Sequence, residues 1–286
     1  MPILTLNSQS YAGYEGVANE GLLSHGFFAR LRLNPESQET TQCYVKAYPA
    51  TKTEIISKTK VVRENKSLIN EIYGYILSEL AGHPVPDAAG LIELTKDQLP
   101  SPPVWINQKK WLCWFSVKVN SPSINLYYAR GGKLKEQDLE RVIKELKSSK
   151  QAPSLIVLDE WIDNIDRNGG NLIRTQKGRY VLIDHGEIFA GSSWIPSSLN
   201  STAINISNKI KSAIGDDICN ELPFKNSRME HFKEINEKIE SSEFNSFTLW
   251  VDNTFGKGTT EAKQIIAYIT ERACINQARK QIGLVI

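Results

Sequence analysis

Asp166 and Asn171 lie five residues apart in the stretch Leu158–Ile173, and a run Tyr180-Val181-Leu182-Ile183 leads on into Asp184-His185-Gly186. These residue types suit phosphoryl transfer. That chemistry needs a carboxylate to orient the attacking hydroxyl and take its proton, and oxygen ligands for the Mg²⁺ that bridges the phosphates of ATP. Asp166 fits the first task; Asn171 can supply a neutral metal oxygen and Asp184 a charged one. A turn at Lys177-Gly178 would fold Leu172 to Ile183 into a hairpin and bring Asn171 and Asp184 to one end. Gly169 and Gly170 let the preceding loop bend tightly, and Gly186 would allow an unusual backbone just after the metal ligand.

A bare D-x-x-x-x-N is weak, since about one is expected by chance in a chain of this size. The weight lies in the order of the motifs, the short hairpin between them and the apolar helix before them. Two other readings compete. Asp, Asn and Gly also cluster in solvated turns for backbone reasons alone. Asn164-x-Asp166-x-Asn168-Gly169 matches the first half of a calcium loop. Thr175 stands where that loop wants a bidentate Glu, however, and Asn171 where it wants an apolar residue.

Several elements must position this stretch. Phe27–Leu33 alternates as a half-buried strand, Asn34–Glu39 is turn-like, and Cys43–Tyr48 reads as a second strand. Leu68, Ile72, Tyr75, Ile76 and Leu80 recur at helical spacing over Ser67–Leu80, and Gly82, Pro84 and Pro86 end that helix. Ala88–Leu94 and Trp111–Val119 read as strands separated by a loop at Pro100, Pro102 and Pro103. Lys135–Lys147 and Leu155–Ile165 read as helices, and Arg179–Ile183 as a short strand. The chain from Ser201 reads as mostly helical, ending in a segment from Thr260 to Ile282. The expected fold class is therefore α+β. A strand-rich N-lobe over residues 1–118 joins a helical C-lobe over 119–286, with a cleft between them.

The chain has 286 residues, 41% of them hydrophobic, enough for two lobes. A net charge of +2 argues against nucleic acid or an anionic membrane as the main partner. The N-terminus carries no secretory signal, and no apolar run is long enough to span a bilayer. Cys43, Cys113, Cys219 and Cys274 are scattered without a C-x-x-C pair, which reads as free thiols in a reducing cytoplasm.

The run Asn164-x-Asp166-Arg167-x-x-x-Asn171, followed by Leu182-Ile183-Asp184-His185-Gly186, resembles the HipA-like kinases and, more distantly, the phosphoinositide 3/4-kinases. Tyr44-Val45-Lys46 resembles the strand that bears their ATP-contacting lysine. Asn70-Glu71 and Leu80-Ala81-Gly82-His83-Pro84-Val85-Pro86 resemble their helix and its exit. The resemblance covers roughly residues 20 to 195. It implies a two-lobed protein-kinase-like fold that uses ATP and Mg²⁺. Lys46 would contact the α- and β-phosphates, and Glu71, with Glu64 as its rival, would hold Lys46 in place. Arg167 would bind a phosphate or hold the loop.

The sequence also departs from the pattern. No G-x-G-x-x-G precedes the second strand. The best phosphate-covering segment is Asn19–Gly26, where backbone N–H groups of Ser24, His25 and Gly26 could meet a phosphate. Ile165 precedes Asp166 where regulated protein kinases have Arg, so control through an activation-loop phosphate is not implied. His185 follows Asp184 where Phe is usual and is assigned no role. Asp159 and Asp163 share a face with Asp166 if the helix continues, and read as a polar helix face. Trp114-Phe115-Ser116-Val117 is the expected crossover whose backbone would face the adenine.

The resemblance implies a kinase that phosphorylates Ser or Thr on a protein substrate, as HipA-like toxins do, and with it an antitoxin-like partner. Alternatives are a small-molecule or lipid-headgroup kinase and a nucleotide-binding pseudokinase that acts as an interaction module. Lys233, Glu234, Glu237 and Lys238 in the tail read as a solvated face.

Overall fold

The computed structural model describes residues 3–18, 24–56, 58–204 and 207–284. The fold class is mixed α+β, with a sheet-rich N-terminal region and a helical C-terminal region. The chain forms two compact units: Met1–Ile72 with Pro86–Asn120, and Tyr73–Val85 with Ser121–Ile286. Among the described residues no helix is long and apolar enough to cross a membrane.

The first unit is built on a six-stranded sheet from β1 (Leu4–Leu6), β2 (Tyr11–Val17), β3 (His25–Leu31), β4 (Thr41–Ala47), β7 (Ala89–Thr95) and β8 (Lys110–Val117), in the order β1-β7-β8-β4-β3-β2. Only the β1–β7 pairing is parallel. The alternation in β3 buries Phe27, Ala29 and Leu31, and β4 buries Cys43, Val45 and Ala47 in the same core. Ile92, Leu94, Cys113 and Phe115 from β7 and β8 complete it. Burial pushes the thiols of Cys43 and Cys113 up to about 12, so both serve as small apolar core residues. Gly90 is required where β1 runs closest, because a Cβ there would meet the Leu4 carbonyl oxygen at 2.1 Å. A separate hairpin, β5 (Thr51–Ile56) with β6 (Thr59–Glu64), leads into helix α1 (Ser67–Leu80), and the two units divide within that helix.

The second unit holds α2 (Ile124–Tyr128), α3 (Glu136–Ser148), α4 (Ala152–Trp161), the hairpin β9 (Leu172–Gln176) and β10 (Arg179–Leu182), then α5 (Lys209–Ile214), α6 (Asp216–Cys219), α7 (Leu222–Ile239), α8 (Asn245–Phe255), α9 (Thr260–Ala273) and α10 (Ile275–Ile282). Helix α4 is buried on nearly every side, Asp159 and Glu160 included. A helix so enclosed needs partners for its carboxylates, and arginines supply them. Arg167 lies 3.2 Å from Asp159, and Arg228 of α7 reaches Glu160 together with Lys211 of α5. Arg272 of α9 donates to the carbonyls of Trp161 and Glu160 and lies 3.8 Å from Asp163, whose other oxygen accepts from the Tyr268 hydroxyl. Asp159 and Asp163 therefore do not form a polar helix face. The helix stops at Trp161, Asp163 takes a left-handed φ of +53°, and both carboxylates point into protein. The segment from Thr260 to Ile282 is helical and forms two helices, because Cys274 adopts φ −57° and ψ 136° between them.

Candidate active site

The segment after α4 is a loop pinned by its own side chains. Asn164 Oδ1 accepts from Asp166 N (2.9 Å), and Asn168 Oδ1 accepts from Gly170 N (2.7 Å). Asn168 Nδ2 donates to the Asp166 carbonyl (3.0 Å). These are the local bonds by which Asn outcompetes regular structure. Gly169 is held close to α2: a Cβ there would lie 2.2 Å from Asn125 Oδ1.

Asn171 ties the loop to the hairpin. Its Nδ2 donates to the Asp166 carbonyl (3.3 Å), and its own carbonyl accepts from Ile183 N (3.2 Å). The register pairs Leu172 with Leu182, so the segments bearing Asn171 and Asp184 lie side by side. Arg167 ties the same parts from beneath. Wholly buried, it donates to the Ile183 carbonyl (2.8 Å), and its Nη2 lies 3.1 Å from His185 Nδ1, the acceptor of that pair. These contacts are those of a residue that holds the loop, one of the two roles read for Arg167, and its side chain is wholly buried. His185, unassigned from the sequence, serves the same purpose, and Gly74 on α1 makes room for it: a Cβ there would lie 2.2 Å from His185 Cβ. The unusual backbone expected at Gly186 falls two residues earlier, on Asp184 itself, with φ +60°. Such a conformation is uncommon outside glycine and turns the exposed Asp184 out of strand geometry.

Asp166 is half-buried, and its carboxylate accepts from the ammonium of Lys209 at the first turn of α5. Lys209 escaped the sequence reading, because a lysine at a helix start carries no motif. Asn171 is mostly buried, and its Oδ1 accepts no hydrogen bond among the described residues. Among those residues no cluster of three or more His, Cys, Asp or Glu could hold a metal. The candidate donors are instead hard oxygens, one carboxylate and one carboxamide. That fits Mg²⁺, which takes few protein ligands and completes its shell with phosphate and water.

In the first unit, Lys46 Nζ lies 2.7 Å from Glu71 Oε1, and both side chains are almost fully buried. The Tyr48 hydroxyl donates to the same oxygen at 2.6 Å. Glu64, the rival, pairs instead with Lys66.

Two of the expected nucleotide-contact segments lie in strands. His25 and Gly26 do not lie in a turn. They open β3, opposite Ala47 and Lys46 in the ladder, so their backbone belongs to the sheet. A Cβ on Gly26 would lie 2.4 Å from the Tyr44 hydroxyl, so the Tyr44 ring would have to shift. Ser24 just precedes the strand, and Asn19–Leu23 lie outside the described residues. Phe115 and Ser116 are also sheet residues. Their register places them between Val45 and Tyr44 on one side and Gly90 and Ala89 on the other, and the Phe115 side chain is core. Their backbone groups are committed to neighbouring strands and do not form an open crossover.

No protein-family model matches the chain, and no curated protein matches it. Among solved structures the chain is similar to the Helicobacter pylori proinflammatory kinase CtkA, at 12% identity and a TM-score of 0.49 over 99% of each chain. It is similar also to the Golgi casein kinase, at 12% identity and a TM-score of 0.42 over 95% of this chain and 71% of that one. At such identity neither likeness assigns an activity to this chain.

Proposed function

We propose that the chain is an ATP- and Mg²⁺-dependent phosphotransferase of HipA-like character, with a protein Ser or Thr hydroxyl as acceptor. The observation that carries this reading is the placement of Asn171. Its side chain binds the Asp166 backbone while its main chain binds the strand that ends at Asp184. One loop and one hairpin are thus tied together through the backbones of Asp166, Asn171 and Ile183, which supports the reading.

In this reading Asp166 orients the acceptor hydroxyl and takes its proton. Asp184 and Asn171 offer oxygens to Mg²⁺, which, when bound, neutralises phosphate charge. Lys46, held by Glu71 and Tyr48, offers a fixed cation for the α- and β-phosphates. Arg167, bonded to Asp159 and to the Ile183 carbonyl, keeps the Asp166 loop and the Asp184 strand end in register. An antitoxin-like partner belongs to the same reading, through the motif resemblance alone.

The test is to incubate the purified protein with γ-labelled ATP, Mg²⁺ and a cell lysate. Label in a protein band that disappears with Asp166→Ala supports the reading. Label confined to a small soluble product keeps the phosphotransferase and rejects the protein acceptor. Label that persists unchanged in Asp166→Ala rejects both.

A further inference from the structure

Asp166 is held at its two ends by different means. Its backbone is fixed by asparagines: Asn164 Oδ1 accepts from its N–H, and the carboxamides of Asn168 and Asn171 donate to its carbonyl. Its carboxylate meets the ammonium of Lys209. The loop therefore keeps its course without Lys209, and the cation serves the reactive end of the side chain.

The ammonium is also anchored from behind. Asn208 and Ile210, on either side of Lys209, are buried, while the Lys209 side chain is 50% exposed. Neighbouring cations are committed to other groups. Arg167, next in the chain to Asp166, is wholly buried and bonds Asp159 and the Ile183 carbonyl. Lys211, two residues beyond Lys209, lies 3.3 Å from Glu160. An ammonium carries three donors, and the bond to Asp166 uses one of them.

The position of this cation follows from the reaction. An attacking hydroxyl sits on its general base at about 3 Å, with the phosphorus about 3–3.5 Å further on. A cation bonded to the base thus stands one short step from the phosphoryl oxygens, within the swing of a four-carbon side chain. Negative charge spreads over those oxygens during transfer, and a cation already in place there stabilises it without reorganisation.

We propose that Lys209 is a catalytic residue for the phosphotransferase reading above, on which this inference rests: its ammonium contacts the γ-phosphoryl group of Mg²⁺-ATP and stays with it through transfer. Asp166 takes the proton of the acceptor hydroxyl, and the hydroxyl oxygen bonds to the γ-phosphorus. The bond from that phosphorus to the β,γ-bridging oxygen breaks, its electron pair goes to the oxygen, and ADP leaves. Once Asp166 carries the proton its charge is cancelled, and the phosphoryl group is the anion left to Lys209. Lys209 remains protonated throughout and supplies charge.

The test compares calorimetric affinities for Mg²⁺-ADP and for a non-hydrolysable Mg²⁺-ATP analogue, which differ by the γ-phosphoryl group. Lys209→Met, checked for an unchanged melting temperature, should bind Mg²⁺-ADP as wild type does and the analogue at least about tenfold more weakly. Lys209→Arg should keep most of the wild-type preference for the analogue. Asp166→Ala, which releases the ammonium from its partner, should keep that preference or increase it. An analogue-to-ADP ratio in Lys209→Met equal to that of wild type overturns the proposal and leaves the phosphotransferase reading standing. A loss of the same size in Asp166→Ala also overturns it, because the effect would then run through Asp166. Wild-type protein that binds neither nucleotide overturns the phosphotransferase reading and the proposal together.

Discussion

The ammonium of Lys209 donates to Oδ1 of Asp166, a residue 43 positions earlier in the chain. The contact is placed from the other side of α5's start. Asn208 caps that helix by accepting from Lys211 N (2.9 Å), and its Nδ2 donates to the Ile156 carbonyl on α4 (3.2 Å). Lys209 and Asp166 are each about half exposed, so their pairing contributes little stability, on the order of 0–1 kcal/mol. Its consequence is orientation of the carboxylate. Lys209→Met should lower kcat by roughly 10²-fold with the melting temperature nearly unchanged. Lys209→Arg should recover part of the loss. Steady-state turnover beside a thermal melt checks both, and a variant with full turnover would deny Lys209 any part in placing Asp166.

Arg167 and Asp159 are wholly buried, and Arg167 links α4, the Ile183 carbonyl and His185. Removing one partner strands the other, at a cost of about 3–5 kcal/mol. Arg167→Met should therefore shift the urea midpoint strongly. Arg167→Met combined with Asp159→Leu should regain much of that loss, because no buried charge is left alone. If the double variant is as unstable as the sum of the two single ones, the ion pair does not bear on stability in this way.

His83 is buried and neutral. Its Nε2 donates to the Ser154 carbonyl (3.2 Å), and its Nδ1 accepts from Gln151 (3.3 Å). Burial lowers it to about 3, with Arg167, His231 and Lys238 acting in the same sense and the Ser154 carbonyl opposing. Between that value and the ordinary 6.5 the unfolded chain binds a proton that the folded chain refuses. Stability thus falls as pH drops through this window, by up to about 1.4 kcal/mol per pH unit. Asp159, which burial pushes up to about 6 despite Arg167, works in the opposite sense below that value. Its contribution is common to wild type and a His83→Gln variant and cancels between them. Urea melts at about pH 7 and about pH 5 should show the variant losing less stability than wild type. Equal losses would place the titrating group elsewhere.

Much of the scaffold is legible in the sequence wherever burial is periodic or a breaker marks an end. Helix α1 runs from Ser67 to Leu80, as the spacing and Gly82 indicate, and β10 and α3 fall within a residue of their expected bounds. The hairpin of β5 and β6 is not legible. Ile55 and Val62 are exposed, so the ribbon buries no face that would impose an apolar alternation. The break at Cys274 has no Gly or Pro to announce it. At the candidate site, the loop and hairpin can be read because their parts are neighbours in sequence. The partners from afar cannot. Lys209, Arg228 and Arg272 look like surface cations of a polar tail until Asp166, Glu160 and Asp163 are seen to face them.

The most direct measurement is a calorimetric titration with a non-hydrolysable ATP analogue, with and without Mg²⁺, on wild type, Asp184→Asn and Asp166→Ala. The account predicts Mg²⁺-dependent binding to wild type and to Asp166→Ala, and loss of the Mg²⁺ dependence in Asp184→Asn. Absence of nucleotide binding to wild type, or an Asp184→Asn protein whose Mg²⁺ dependence is intact, would contradict it.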